Sequence, residues 1–279
     1  MNKINTFNEI QLLVKSLRDL RKGFLTNYYP DQSKVELWIA HDLLYCMEFD
    51  EAIFLFRKDK HFYHLYYCST SATNLSDALA KLSQRYKETR FVIDVIGNGT
   101  TITEPCNVLE SAGFFPYVQL VRMSRTMQET TTMAGANPDL HCARSQDLAE
   151  ITILLSNYFD PLAENFPLQA EIESWIAAGQ VVIFREAETI QGFLIYEITG
   201  VTSYLRYWFV HPDHREKKIG STLINDFFAR SSGTKRQLFW VIQSNENAIK
   251  RYKHYGFLPE SLVDHIYINT NIRYEGKNN

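Results

Sequence analysis

Two short stretches of this 279-residue chain bring together residue types that can do chemistry. The first is His211-Pro212-Asp213-His214-Arg215-Glu216-Lys217-Lys218-Ile219-Gly220. It follows the apolar, aromatic run Tyr204 to Val210, which reads as a buried strand. It precedes Ile219 to Arg230, where Ile219, Leu223, Ile224, Phe227 and Phe228 recur at helical spacing. A basic turn between a strand and a helix N-terminus can aim backbone N–H groups and the positive helix end at a phosphate. A solvated connection has the same appearance, and this segment alone does not separate the two. The second stretch is Ser244-Asn245-Glu246-Asn247-Ala248, followed by Tyr252 and by Gly256-Phe257. Ser244 or Asn245 can cap a helix over Glu246 to Tyr255, and Lys253 and His254 suit its negative end. Ala248 and Tyr252 lie four apart and share a face, so Tyr252 has a fixed direction.

The elements that must position these residues are legible from periodicity. After helices over Leu148 to Leu155, capped by Ser145, and Leu168 to Ala177 come strands Val181 to Arg185, Gln191 to Ile198 and Tyr204 to Val210. The helix after the basic turn, a strand Leu238 to Ile242, the Tyr252 helix and a strand His265 to Asn269 complete the second half. The first half has the same order. Helices Asn8 to Leu20 and Lys34 to His41 precede strands Leu43 to Met47, Ala52 to Arg57 and Phe62 to Cys68. Helix Leu75 to Tyr86, strand Phe91 to Ile96, helix Pro105 to Ala112 and strand Tyr117 to Met123 follow. Ser111-Ala112-Gly113-Phe114 matches Tyr255-Gly256-Phe257 in type, with Gly at the end of a helix where a left-handed residue fits. The chain thus reads as an internal duplication, although two unrelated halves could share such short matches. The polar run Gln128 to Pro138 reads as a linker. The expected domains are residues 1–127 and 139–279, with 128–138 between them.

Composition bounds the function. Hydrophobic residues make up 45%, enough for two cores, and the net charge of -3 argues against a general nucleic-acid binder. Cys46, Cys68, Cys106 and Cys142 are widely spaced, as reduced thiols of a cytosolic protein would be. The first residues lack a signal-peptide core, and no run of about 18 apolar residues exists, so a cytoplasmic location without a membrane span is expected. His211 and His214 flank Asp213, but no further ligand set accompanies them, and no metal site is expected. His61 and His64 alternate with aromatic residues in one strand, which suits a half-exposed or ligand-facing sheet.

On these two motifs the second half, roughly Asp139 to Asn271, resembles the GCN5-related N-acetyltransferases, the GNAT superfamily. The family's cofactor turn, Arg/Gln-x-x-Gly-x-Gly/Ala, corresponds to Arg215 through Gly220. Its later motif, Asn-x-x-Ala-x-x-x-Tyr-x-x-x-Gly-Phe, is matched in full by Asn245, Ala248, Tyr252, Gly256 and Phe257. One position departs: Lys218 stands where the family has its first Gly. If that position needs a positive φ, Lys costs about 1 kcal/mol. The resemblance implies an α/β fold with two GNAT-like domains in tandem, each a mixed central sheet flanked by helices. It further implies acetyl-CoA, transfer of the acetyl group to a small-molecule or peptide amine by direct attack, and Tyr252 as the acid that protonates the leaving thiolate. Phe209 and Val210 would pair with the pantetheine arm, and strand N–H groups would stabilise the oxyanion. Arg215, Glu216, Lys217, Lys218, Ile219, Gly220 and Ser221 would hold the pyrophosphate, with Asn245, Asn247 and Tyr252 completing the cofactor contacts. Glu197, or else His211, could relay the amine proton. The first half has no such turn after its third strand, only Ser69 to Asn74, and reads as a copy that has lost cofactor binding. A CoA-binding sensor, a scaffold and a tandem aminoacyl transferase are the alternatives. A monomer or homodimer is expected, with no nucleic-acid partner.

Overall fold

The computed structural model describes residues 1–126, 140–186, 188–270 and 272. Its elements are β1 (Asn2–Lys3), α1 (Phe7–Asp19), β2 (Leu25–Thr26), α2 (Gln32–Ala40), β3 (Leu44–Glu48), β4 (Ala52–Lys58), β5 (Tyr63–Ser69), α3 (Ala72–Arg85), β6 (Phe91–Asn98), α4 (Gly99–Ser111) and β7 (Phe115–Thr126). They continue with β8 (Leu140–Cys142), α5 (Leu148–Tyr158), α6 (Gln169–Ala177), β9 (Val181–Glu186), β10 (Thr189–Thr199), β11 (Thr202–Val210), α7 (Ile219–Arg230), β12 (Arg236–Ile242), α8 (Glu246–His254) and β13 (Leu258–Ile268). The expected linker, 128–138, lies outside the described residues.

The chain forms two compact units, but not the contiguous stretches 1–127 and 139–279. The first unit holds Met1–Leu120 and takes residues 261–270 from the far end of the chain. The second holds Val121–Glu260. The difference has a physical reason. Linker composition reports where the chain is polar, whereas unit membership is set by strand pairing, which is not local in sequence.

In the first unit the strand order is β1-β3-β4-β5-β6-β13. The β3–β4, β4–β5 and β6–β13 pairs are antiparallel, and β5–β6 is parallel. Its core packs Phe54, Phe56, Tyr67, Phe91 and Tyr267 against Leu75, Ala78, Leu79 and Leu82 of α3. Those four positions follow helical spacing, and Ser71 caps the helix by accepting from the Asn74 N–H at 3.1 Å.

The second unit has the order β7-β12-β11-β10-β9-β8. The central strand β10 is buried on both faces, because α5 and α6 cover one and α7 covers the other. Phe193 and Ile195 face the α5–α6 side, and Leu194 and Tyr196 the α7 side. Gly192 lets α7 approach the sheet: a Cβ there would stand 2.9 Å from Ile219 Cγ2 and 2.9 Å from the Phe209 carbonyl oxygen. Ser145 does not cap α5. It opens a 3-10 turn, Ser145–Asp147, and buried Asp147 holds the helix entrance by accepting from the Arg144 N–H (2.7 Å) and from Arg185 (2.7 Å).

Candidate active site

The second unit is built around a parting of strands. On one edge β11 pairs with β10 as far as Val210, with an irregularity: Ile195 faces Tyr207 and Tyr196 faces Leu205, so Arg206 is an extra, unpaired residue. Such a bulge bends a strand and increases its twist. On the other edge the parallel ladder to β12 holds only from Thr202–Arg236 to Tyr204–Leu238. Beyond it, Leu205 to Val210 present a main-chain edge with no ladder to β12, and the strands leave a gap between them.

At the far end of β11 a 3-10 turn, Pro212–Lys217, leads into α7. Lys218 is left-handed (φ 59°, ψ 13°), the geometry that favours glycine, so the lysine at this position is strained by about 1 kcal/mol. Its chain is exposed, as are those of Arg215, Glu216 and Lys217. Lys217 pairs with Glu186 at 2.8 Å. Ile219 anchors the helix in the core, and Ser221 accepts from the Tyr255 hydroxyl at 3.0 Å. His211 is a turn cap: Nδ1 accepts from the Asp213 N–H at 3.4 Å, and Nε2 lies 2.9 Å from the Tyr158 hydroxyl.

Across the gap, Asn245 caps α8 through the Ala248 N–H (3.1 Å), which leaves its amide NH2 for another partner. Asn247 is exposed in the first turn. Tyr252 points inward, its ring centroid 4.5 Å from Phe239 and 5.5 Å from Trp208. Its hydroxyl makes no hydrogen bond among the described residues. Burial pushes the phenol up to about 12, against a pull from Arg251 and with a further push from Glu164.

Glu164 belongs to no motif or period of the sequence. It sits in the loop between α5 and α6, with its N–H on the Asp160 carbonyl at 2.9 Å. The carbonyl of its neighbour Asn165 accepts from the Tyr207 hydroxyl of β11 at 3.2 Å, so the loop is tied to the parting strand. Burial, and then the charge of Asp160, push the Glu164 carboxyl up to about 8. The only cue in the sequence is a pair of acids, Asp160 and Glu164, in the mostly apolar loop Phe159 to Leu168. Glu197, one of the two proton relays considered from the sequence, is held by other partners. One carboxylate oxygen accepts from Trp175 Nε1 at 2.9 Å and the other is paired with Arg206. It is registered with Tyr204, at the closed end of the β11–β12 pair. Trp175 packs in the α5–α6 core and Tyr252 in the α7 core, so Glu197 and Tyr252 lie on opposite sides of the sheet.

The open edge suits an extended arm with amide groups. The positive end of α7, with the cations of its turn, suits a diphosphate. A strand pair that parts beside a bulge, a basic turn into a helix and an inward tyrosine coincide with a match to the model of the acetyltransferase (GNAT) family over residues 149–257. Over these residues the chain is similar to GNAT domains. No curated protein sequence matches the chain. Solved structures share the fold. A GCN5-related N-acetyltransferase from Sphaerobacter thermophilus is 11% identical over 85% of each chain, with a TM-score of 0.58. A GNAT-family acetyltransferase from Colwellia psychrerythraea is 13% identical over 96% of this chain and 97% of its own, with a TM-score of 0.53. A tandem GNAT protein from the clavulanic acid biosynthesis pathway is 10% identical over 78% of each, with a TM-score of 0.52. At these identities the likeness is one of fold: mixed α/β, with GNAT-like units in tandem. The family supports acyl transfer to amines in general.

The first GNAT-like unit has the same parting of strands, and its own chain fills it. The parallel β5–β6 ladder holds only at Tyr63–Phe91 and His64–Val92. Into the gap comes β2, pairing Leu25 with Ser69 and Thr26 with Cys68. Asn27 then spans both strands. Its side chain accepts from the Tyr67 N–H (2.6 Å) and donates to the carbonyls of Leu65 (3.2 Å) and Asp94 (3.0 Å). At the entrance to α3, where the second unit has its basic turn, the Glu51 carboxylate accepts from Thr70 (2.7 Å) and Asn74 (2.9 Å) and pairs with Lys22. Lys22 and then Thr70 hold that carboxyl below its usual range. Among the described residues no three His, Cys, Asp or Glu side chains gather as metal ligands, and no helix is long and apolar enough to cross a membrane.

Proposed function

We propose that this protein is an acetyl-CoA-dependent N-acyltransferase whose second unit carries the reaction and whose first unit binds no acyl donor. The observation that carries the reading is Tyr252, a phenol with no hydrogen bond among the described residues, within electrostatic reach of the desolvated Glu164 carboxyl and packed on the strand that parts from β11. The main-chain groups from Leu205 to Val210 orient the arm of the donor, and the first-turn amides of α7, with Lys218 and its neighbours, hold the diphosphate. Acetyl-CoA supplies the acyl group as a thioester, with sulfur as the leaving group. Glu164 accepts the proton that the amine nitrogen loses as its bond to the acyl carbon forms. Tyr252 gives its hydroxyl proton to the sulfur as the carbon–sulfur bond breaks, and recovers a proton from solvent or from Glu164. A phenol pushed up to about 12 keeps its proton at neutral pH until charge develops in front of it. The aromatic wall of Phe159, Tyr207 and Phe209 lines the α5 side and limits water access. The acceptor is a small-molecule or peptide amine. A CoA-binding sensor would need the groove but neither Glu164 nor Tyr252. The test is release of free thiol from acetyl-CoA across a panel of amines. Acceptor-dependent release supports the enzyme, and its absence with intact CoA binding favours the sensor.

The role of Glu164 fixes a pH dependence. Below its raised pKa the carboxyl is protonated and cannot accept a proton, so kcat/KM should rise with pH through about 8. With an acceptor whose own amine titrates below pH 6, that limb belongs to the enzyme. Glu164→Gln should flatten it and lower the rate at pH 8.5 by roughly tenfold. An unaltered limb in the variant would assign the proton to another group.

Asn27 and Glu51 already occupy the positions in the first unit that the donor would need. Calorimetry should therefore give one CoA per chain. A stoichiometry of two would mean that the β2 segment yields to the ligand.

A further inference from the structure

Trp208 carries a buried donor with no acceptor. Among the four tryptophans, Trp175 gives its indole N–H to Glu197 at 2.9 Å, whereas Nε1 of Trp208 is enclosed and has no hydrogen-bond partner among the described residues. Leaving such a donor unmade is costly in a folded protein, so it calls for a ligand, a water or a reason. The ring is not free to turn away. It lies on β11 two residues before the strand ends, with Tyr252 at 5.5 Å on one side and Tyr255 at 5.9 Å on another. Tyr255 is itself tied to Ser221 in the first turn of α7. The nitrogen-bearing edge lies beneath that same turn. A Cβ at Gly220 would stand 3.5 Å from Trp208 Cζ2 and 3.8 Å from Nε1, ordinary contact distances. The fold's own packing therefore does not demand glycine there. What glycine does is keep a Cβ off the enclosed indole edge, which lies between Tyr252 and the first turn of α7.

We infer that the Trp208 indole N–H is a fixed hydrogen-bond donor to an oxygen on the arm of the acyl donor, an amide carbonyl or a diphosphate oxygen. This rests on the reading of the second unit as the donor site. Trp208 binds and positions; it transfers no proton. Trp38 is an internal control, because its Nε1 is also buried without a partner among the described residues but it belongs to the first unit.

The test uses the full chain labelled with 15N. On addition of CoA the Trp208 indole cross-peak, identified by its loss in Trp208→Phe or by sequential assignment, should move downfield while that of Trp38 stays. Calorimetry should show CoA binding weakened about tenfold in Trp208→Phe, a variant that keeps an aromatic ring against Tyr252. The same measurement with pantetheine separates the two acceptors: a parallel loss places the bond on the amide arm, and no loss places it on the diphosphate. If the wild type binds CoA, an unmoved Trp208 signal or an unchanged affinity in the variant overturns the inference. If the wild type binds neither CoA nor pantetheine, the donor site itself is wrong and the inference falls with it.

Discussion

Tyr252→Phe is expected to lower turnover by about ten- to a thousandfold while CoA affinity stays within about twofold. The substitution removes one oxygen and leaves the ring between Phe239 and Trp208, so packing and helix α8 are preserved. Among the described residues the hydroxyl has no partner to orphan, and its loss acts only on what stands in front of it. A proton donor used as the sulfur departs stabilises the transition state without tightening ground-state binding, so the loss belongs in kcat. Burial is what makes the phenol specific to this step. Pushed up to about 12, it is neutral at working pH and offers its proton only to developing negative charge. Measurement of kcat and of the CoA dissociation constant on the same preparation decides it. Unchanged turnover removes Tyr252 from the reaction, and a loss confined to affinity makes it a binding residue.

How far the sequence foretold this site depends on whether the signal was local. The α7 stripe, Ile219, Leu223, Ile224, Phe227 and Phe228, is buried at every position that periodicity named, because a helix repeats its own face within a dozen residues. Tyr252 points inward for the same reason, and Lys218 takes the left-handed geometry that its place in the turn suggested. Glu164 was illegible: it belongs to no period and no motif, and only the three-dimensional loop gives it a desolvated setting. Glu197 had the opposite fate. A carboxylate on a neighbouring strand is a natural candidate base, yet its partners Arg206 and Trp175 lie nine residues after and twenty-two before it, on a strand and a helix that meet it only in three dimensions. The filled groove of the first unit turned on Asn27, one side chain bridging β5 and β6 from a loop that offered no pattern. Loss of the basic turn was visible; what replaced it was not.

The exchange of strands between the halves carries the second large effect. A chain ended at Glu260 keeps every residue of the proposed site, and a boundary drawn from composition would expect its first unit to stand unharmed. It should not. Residues 261–270 supply an edge of the first unit's sheet, where Leu262 to Ile268 pair with Asn98 to Val92 on β6. Ile266, Tyr267 and Ile268 are nearly or wholly buried there. The Tyr267 hydroxyl donates to Glu110 at 2.9 Å, and Asn269 joins the Phe91 N–H (2.8 Å) to the Thr89 carbonyl (2.8 Å). Burying three such side chains is worth about 5–9 kcal/mol, against a total stability of about 5–15 kcal/mol for a domain. Truncation should therefore abolish the first unit's cooperative unfolding transition, expose β6 main-chain groups along its unpaired edge, and raise proteolysis within Met1–Leu120. Tyr267→Ala in the full chain should cost about 3–5 kcal/mol by the same contacts, a milder test in a protein that still folds. Calorimetric scans and hydrogen exchange read both. A truncated chain whose first unit melts and exchanges like the full one would show that Met1–Leu120 is sufficient by itself, and that the strand from the far end adds little.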